Sequence, residues 1–196
     1  MGRPSLATER TEQIVLAACR CVARSGLDGA TLEQISAESG LSRGHIRHYV
    51  GSRDNLMDLV WVRVSESFLS ELSGVTATDP QQQVDQLLDR LFAEEGASVY
   101  GMHVGAFLLS GVNHDALRPK LDRTISRIEA VLHTSLERFA PEAAAADRSA
   151  VVAGLLRLLL GNAAYLAMSP RRQDGGAARG SADRLLRSLR PGTLVR

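Results

Sequence analysis

Several features are scarce in this chain of 196 residues, and each absence narrows the possible folds or functions. Aromatic residues make up only 4% of the chain, and its two cysteines are Cys19 and Cys21. On a helix, two positions with that spacing point about 200° apart, which excludes a disulfide or a shared metal between them. No β-strand alternation of useful length is present, and no segment repeats at a fixed period.

The sequence also lacks the common enzyme motifs. It contains no G-x-S-x-G, no P-loop, no G-x-G-x-x-G after a strand and no H-E-x-x-H. His45 and His48 are one helical turn apart, but no Cys, Asp or Glu lies in the same turn to complete a tetrahedral metal site. We therefore expect no enzymatic activity, no cofactor and no metal. No apolar segment follows a basic N-terminus, so we also expect a cytoplasmic protein.

The residues that are present fit an ordinary globular protein. Hydrophobic residues make up 44% and charged residues 23%. The formal net charge is only +1, so a nucleic-acid site would have to be a local patch on the surface.

The first half of the chain predicts four helices. Apolar residues recur at helical spacing over residues 8–24, and Gly26 ends this helix before a loop over residues 26–30. Thr31 and Gln34 form a capping-box pattern for a second helix, which ends at Gly40. Ser42 caps a third helix that ends at Gly51. Ser52 caps a long fourth helix over 52–73, with an apolar stripe made of Leu56, Val60, Val64, Phe68 and Leu72.

A linker over residues 74–80 separates this part from a second helical part. Helices are predicted there over residues 81–95, 98–111, 115–139, 147–168 and 182–189, which makes about nine helices in all. The sequence therefore predicts an all-α protein with a boundary between two functional regions.

The helix over residues 151–166 is apolar on nearly all sides. A membrane span needs about 20 largely apolar residues, and Arg157 near its centre would be costly there. A helix buried between its own core and a second subunit requires the same two apolar faces. We therefore expect a homodimer and no membrane association. The predicted dimer interface consists of Leu155, Leu158, Leu159, Asn162, Leu166 and Leu185.

Residues 26–56 carry the most specific pattern, GLDGATLEQISAESGLSRGHIRHYVGSRDNL. This segment resembles the DNA-binding region of the TetR family of bacterial transcriptional regulators, and residues 44–49 are most similar to the BetI-type branch. The sequence departs from the family pattern at three positions. Arg47 stands where tyrosine is usual, Val50 where phenylalanine packs, and Arg53 where lysine is usual.

The resemblance implies an N-terminal three-helix helix-turn-helix domain over residues 1–54, connected by the fourth helix to an effector-binding and dimerisation domain over 55–196. It also implies a repressor that binds a palindromic operator as a dimer and is released by a small-molecule effector. A helical ligand-binding or protein-interaction module without DNA binding remains the alternative.

The third helix would enter the major groove of DNA. Arg43 and Arg47 are four residues apart and so share a helix face, from which either can donate two hydrogen bonds to guanine. Thr31, Tyr49 and Arg53 would contact phosphates. The predicted DNA-binding residues are Thr31, Ser42, Arg43, His45, Arg47, His48, Tyr49 and Arg53. Arginines that merely solvate a surface helix are the alternative for an arbitrary helix of this composition.

The resemblance also implies an effector cavity between helices of the second domain. Candidate lining residues combine apolar walls with a few polar groups, and they are Phe92, Tyr100, Met102, His103, Phe107, Asn113, Asn162 and Tyr165. Ordinary core packing is the alternative for each of them. The scarcity of aromatic residues argues against an aromatic cage for a quaternary ammonium such as choline.

Overall fold

The computed structural model describes residues 5–92, 115–168 and 175–190, and these form eight α-helices without a strand. The helices are α1 (Leu6–Gly29), α2 (Leu32–Ser39), α3 (Arg43–Val50), α4 (Arg53–Ser73), α5 (Pro80–Leu91), α6 (Arg118–Phe139), α7 (Ala145–Met168) and α8 (Gly175–Arg187). This confirms the predicted all-α fold. The ninth predicted helix, over residues 98–111, lies outside the described residues.

The chain divides into two compact units, Met1–Ser67 (unit 1) and Phe68–Arg196 (unit 2). The division falls within α4, later than the predicted boundary after Asp54. The assignment of separate functions to residues 1–54 and 55–196 stays a prediction. The apolar stripe of α4 is confirmed, because all five of its predicted members are buried.

The residues at the start and at the bend of helix α1 explain both features. The Ser5 side chain accepts a hydrogen bond from the Thr8 backbone N–H and caps the helix. Gly26 has a φ of 72°, a conformation that favours glycine, and it interrupts the helix as predicted. The residues after this break return to helical geometry through Gly29, so the loop predicted over residues 26–30 is wrong for residues 27–29.

In unit 1, α1, α2 and α3 pack against one another. Their shared core contains Ile14, Ala17, Ala18, Ile35 and Ile46, each with no exposed surface. These residues are short or branched apolar side chains at helical spacing, as the sequence pattern predicted. Burial of this core fixes the orientation of α3 within the unit.

In unit 2, α5, α6, α7 and α8 pack as a bundle, with contacts between α5 and α6, α6 and α7, α7 and α8, and α5 and α8. Helix α5 begins at Pro80 and is capped by the Asp79 side chain. Helix α8 begins at Gly175, seven positions before the predicted start at Ala182. Ala178, Ala182 and Leu186 are buried at four-residue spacing, and this packing outweighs the weak helix propensity of its two first glycines.

Both cysteines are buried in unit 1. Burial raises the pKa of the Cys19 thiol to about 11, because a thiolate would lose its hydration there. Cys19 and Cys21 are free thiols that pack as small apolar residues.

Within the described ranges, no helix combines the length and the apolar character that a membrane span requires. Helix α7 contains the apolar segment over residues 151–166, and the charged side chain of Arg157 is exposed on its surface.

Candidate nucleic-acid interface

Helices α2 and α3 are joined by a turn that side chains hold in place. The capping box at Thr31 and Gln34 is present, and Gly40 ends α2 with a φ of 69°. The Ser36 hydroxyl donates to the Leu41 carbonyl at 2.6 Å, and the Leu41 N–H donates to the Ser39 hydroxyl at 3.3 Å. From α1, the Gln13 amide donates to the Ser39 carbonyl at 2.8 Å. The angle between α2 and α3 is therefore fixed by bonds within the turn and to α1.

Helix α3 presents one face to the core and the other to solvent. Ile46 and Val50 are buried, and Arg43, His45, Arg47 and His48 are exposed. The helix contains no acidic residue. Its exposed face therefore carries positive charge and hydrogen-bond donors.

Arg43 and Arg47 have no ion pair or side-chain hydrogen bond among the residues that the structure describes. Both side chains lie on the exposed face of α3. Their guanidinium groups keep all five N–H donors in the fork that suits a base edge or a phosphate.

Thr31 is exposed at the start of α2, but fewer of its groups are available than the sequence suggested. Its side chain accepts from the Gln34 N–H at 3.2 Å, and its own N–H donates to the Gly29 carbonyl at 2.9 Å. The backbone N–H groups of Thr31 and Gln34 are therefore already paired and not available to a phosphate. The hydroxyl keeps its own hydrogen for a phosphate.

Arg53 has a structural contact that the sequence did not predict. Its Nη2 donates to the Leu27 carbonyl at 2.5 Å, and the residue is only half-exposed. This bond ties the start of α4 to the helical turn that follows Gly26. A phosphate contact by Arg53 stays a prediction and would have to use its other N–H groups.

Tyr49 and His48 contact each other at the C-terminal end of α3. Their ring centroids are 5.0 Å apart in an edge arrangement, with an angle of 75° between the ring planes. Tyr49 is half-buried, so its ring supports the exposed imidazole of His48.

Sequence reasoning missed an ion-pair cluster on the side of unit 1 formed by α1 and α2. Arg20 and Arg24 each contact one carboxylate oxygen of Glu38 at 2.6 Å. Hydrogen bonds from Arg20 and Arg24 lower the pKa of Glu38. The spacing of Arg20 and Arg24 on one face of α1 was the available signal. These two arginines are occupied, which separates them from the arginines of α3.

Three of the eight predicted effector-pocket residues lie within the described ranges. Phe92 is buried, Asn162 is half-buried and Tyr165 is 42% exposed. The other five lie outside those ranges: Tyr100, Met102, His103, Phe107 and Asn113. The effector pocket stays a prediction.

The predicted dimer residues divide into two groups. Leu155 and Leu159 are buried within a single chain, so they belong to the core of unit 2 and are not available to a second copy. Leu158 and Asn162 are half-exposed on α7. Leu185 is half-exposed on α8 and packs over Gly154, where an added Cβ would lie 3.2 Å from its Cδ1. The side chain of Leu166 lies outside the described residues.

Among the described residues, no group of three or more His, Cys, Asp or Glu side chains is arranged to hold a metal ion.

Comparison with known proteins identifies the segment that contains α2 and α3. Residues 14–60 match the family model described as "Bacterial regulatory proteins, tetR family". The chain is 29% identical to the HTH-type transcriptional regulator PksA of Bacillus subtilis over 98 residues, which are 49% of this chain and 48% of PksA. It is 28% identical to the HTH-type transcriptional regulator BetI of Vibrio atlanticus over 127 residues, 63% of this chain and 62% of BetI. The match therefore spans less than two thirds of either relative.

Solved structures show the same fold over most of the chain. One of them is described as a transcriptional regulator from Saccharomonospora viridis in complex with choline. The match covers 91% of this chain and 96% of that chain. The TM-score is 0.77 and the sequence identity is 15%, so this likeness concerns the fold alone.

An all-α chain whose N-terminal unit holds this turn and an exposed basic helix is a helix-turn-helix protein. Residues 14–60 thus match the model of the TetR family of transcriptional regulators, and the chain is similar to the regulators PksA and BetI. This confirms the resemblance seen in residues 26–56.

Proposed function

We propose that the protein is a transcriptional repressor that binds a palindromic DNA operator as a homodimer and is released by a small-molecule effector. The observation that carries DNA binding is the exposed face of α3, where Arg43 and Arg47 have no partners among the described residues and no acidic side chain opposes them. An α-helix fits the major groove, and guanine O6 and N7 accept the two bonds that an arginine donates.

Dimerisation is proposed through the outer face of α7. Leu158, Gly161, Asn162 and Tyr165 follow helical spacing and are at least partly exposed in a single chain. Tyr165 is 42% exposed, a large fraction for an aromatic side chain on a mainly apolar helix. A second copy that covers this face would bury it, and a two-fold dimer would present two α3 helices about 34–36 Å apart to a palindrome.

Effector binding is proposed within unit 2. Helix α4 contributes residues to both units, so an effector that changes its position would change the separation of the two α3 helices. A coupling of about 1–3 kcal/mol alters operator affinity by about 5- to 150-fold. Because aromatic residues are scarce in this chain, we expect choline to leave operator affinity unchanged.

Selection of bound sequences from a random duplex pool tests the proposal directly. The expected result is a palindrome whose half-sites are centred about one helical turn of DNA apart, or a multiple of it. Failure of the intact dimer to select any duplex would favour a ligand-binding or protein-interaction module instead.

The oligomeric state is tested by sedimentation velocity of the full chain and of Leu158→Arg. We expect a dimer for the unmodified protein and a monomer for the variant, because a charged side chain would be buried at the interface. Ala130→Arg, at an exposed position of α6, is the matched control and should remain dimeric. Equal sedimentation of the two variants would contradict an interface at α7.

A further inference from the structure

His45 has a polar contact that no other exposed residue of α3 shares among the described residues. It is the third residue of α3, and the Ser42 hydroxyl that caps the helix accepts from the His45 backbone N–H at 3.2 Å. The same Ser42 Oγ lies 3.1 Å from the imidazole Nδ1 of His45. One hydroxyl thus contacts both the backbone and the ring of His45.

We propose that His45 is a specificity-determining residue that donates Nε2–H to an acceptor on a base edge, with its tautomer fixed by the Ser42 cap. This inference rests on the proposed DNA-binding function and adds to it the kind of base that is read. The Ser42 hydroxyl carries one hydrogen, so it can accept a hydrogen bond from the backbone and donate another at the same time. Donation to Nδ1 leaves the ring proton on Nε2.

The N-terminus of α3 favours the same tautomer. The first backbone N–H groups of a helix carry partial positive charge, which stabilises a lone pair nearby and disfavours a second N–H. Nδ1 faces the capping residue at this end of the helix. The lone pair is therefore best placed on Nδ1, and the exposed Nε2 is the donor.

A donor at this position selects among bases. In the major groove, guanine N7 and O6, adenine N7 and thymine O4 accept hydrogen bonds, whereas cytosine offers only the N4 amino donor. Arg43 and Arg47 also carry donors only, and α3 contains no Asp, Glu, Asn or Gln. The arginine donors on the exposed face of α3 thus match a half-site that contains guanine, and the single donor of His45 excludes cytosine at the base that it contacts.

His48 provides the comparison on the same helix. Its described ring contact is the edge of Tyr49, at a centroid distance of 5.0 Å. That contact is apolar and does not select one ring nitrogen as donor. The inference therefore concerns His45 and not exposed histidines in general.

Two variants test separately the presence of the His45 side chain and the position of its ring proton. His45→Ala removes the donor, so the discrimination against cytosine at one position of each half-site should fall by about 3- to 10-fold, the range for one hydrogen bond. Ser42→Asp keeps a good helix cap but supplies only acceptor oxygens near Nδ1. In that variant the proton should move to Nδ1, and the same position should then prefer a base that offers a donor.

The experiment combines duplex selection with 15N NMR of the full chain. In the unmodified protein, the imidazole signals of His45 should report a proton on Nε2, and in Ser42→Asp a proton on Nδ1. His133→Ala, a histidine on α6 outside the proposed interface, is the control, and it should leave both the tautomer of His45 and the base preference at that position unchanged. Thermal unfolding of every variant establishes that α3 still folds.

Three outcomes would overturn the inference, and they differ in what else they affect. If the unmodified protein selects a palindrome and His45→Ala selects the same one with the same preferences, only the role of His45 fails. A proton on Nδ1 in the unmodified protein would also refute it. If the unmodified protein selects no duplex, the proposed function fails together with the inference.

Discussion

The arginines of α3 differ from Arg90, Arg148 and Arg179 of unit 2 in what they contact. Arg43 and Arg47 have no partners among the described residues, whereas in unit 2 Arg90 donates to the carbonyls of Glu71 and Gly74 at the end of α4. Arg148 and Arg179 likewise bind carbonyls and carboxylates of neighbouring segments. Arginine thus stabilises helix ends in unit 2, whereas the arginines of α3 remain available to a ligand. A partner therefore marks a structural contact, whereas two arginines without one in the described ranges, on the same face of a helix that lacks acidic residues, form a candidate site.

Removal of the arginines of α3 should give the largest effect. Arg43→Ala and Arg47→Ala together should weaken operator binding by about 1–3 kcal/mol for each arginine that makes a bidentate contact with a base. Fluorescence anisotropy with the selected operator measures this loss. Stability should change by no more than about 0.5 kcal/mol, since neither side chain has a partner to lose. A fall in stability with unchanged affinity would assign these arginines to structure.

Arg148 should show the opposite behaviour. Its Nη1 donates to the carbonyls of Ala140 and Pro141 at 3.1 and 3.3 Å, and also to that of Ala143. Arg148→Ala should lower the free energy of unfolding in urea by about 1–3 kcal/mol, because carbonyls at the end of α6 lose a charged donor. Arg123→Ala, on the exposed side of α6, is the control and should lie within about 0.5 kcal/mol of the unmodified protein. Equal effects at the two positions would contradict this assignment.

Arg179 should have a smaller effect that depends on salt. It contacts Asp89 at 2.8 Å and Asp85 at 3.5 Å on α5, and Asp183 on its own helix. Burial of Arg179 opposes its charge, but the hydrogen bonds that it donates to Asp89 and Asp183 outweigh this and raise its pKa. Arg179→Met should cost about 1 kcal/mol, with most of that loss disappearing in 1 M salt.

The matched control for Arg179 is Arg184→Met, an exposed position on the same helix. It should be neutral in urea unfolding at both salt concentrations. If salt leaves the effect of Arg179→Met unchanged, packing of its stem accounts for the loss and the ion pairs do not.

Glu38 provides the smallest effect and a defined dependence on pH. Its folded-state pKa lies below the ordinary value of 4.5, so its ionised form stabilises the fold. This contribution is fully present above pH 4.5 and is lost as the pH falls through the lowered folded-state pKa. The difference in stability between the unmodified protein and Glu38→Gln should therefore shrink below pH 4.5. A difference that grows on acidification would contradict the ion-pair account.

Much of unit 1 was predictable because its signals are local. The caps at Thr31 and Ser42 and the breaks at Gly26 and Gly40 depend on residues within a few positions of each other, and all are present. Glu38 and Arg53 were interpreted incompletely for the opposite reason. Their partners are 14 to 26 residues away in sequence, so only the folded chain brings them together.

Unit 2 was harder to predict in detail. Its helices have few special residues at their ends, and an apolar residue on a helix that is apolar on all sides can face either the core or a partner. Leu155 and Leu158 differ by three positions, yet one is buried within the chain and the other is half-exposed. Packing against α6 and α8 decides this, and no local pattern reports it.

The burial of both native cysteines has a practical consequence for labelling. Since Cys19 and Cys21 lie in the core and the pKa of Cys19 is about 11, neither thiol is accessible to a maleimide at neutral pH in the folded protein. A cysteine introduced at the exposed Ala37 would react selectively in an otherwise native chain. Spin labels attached there would report how far apart two bound copies hold their N-terminal units, without replacing a single core residue.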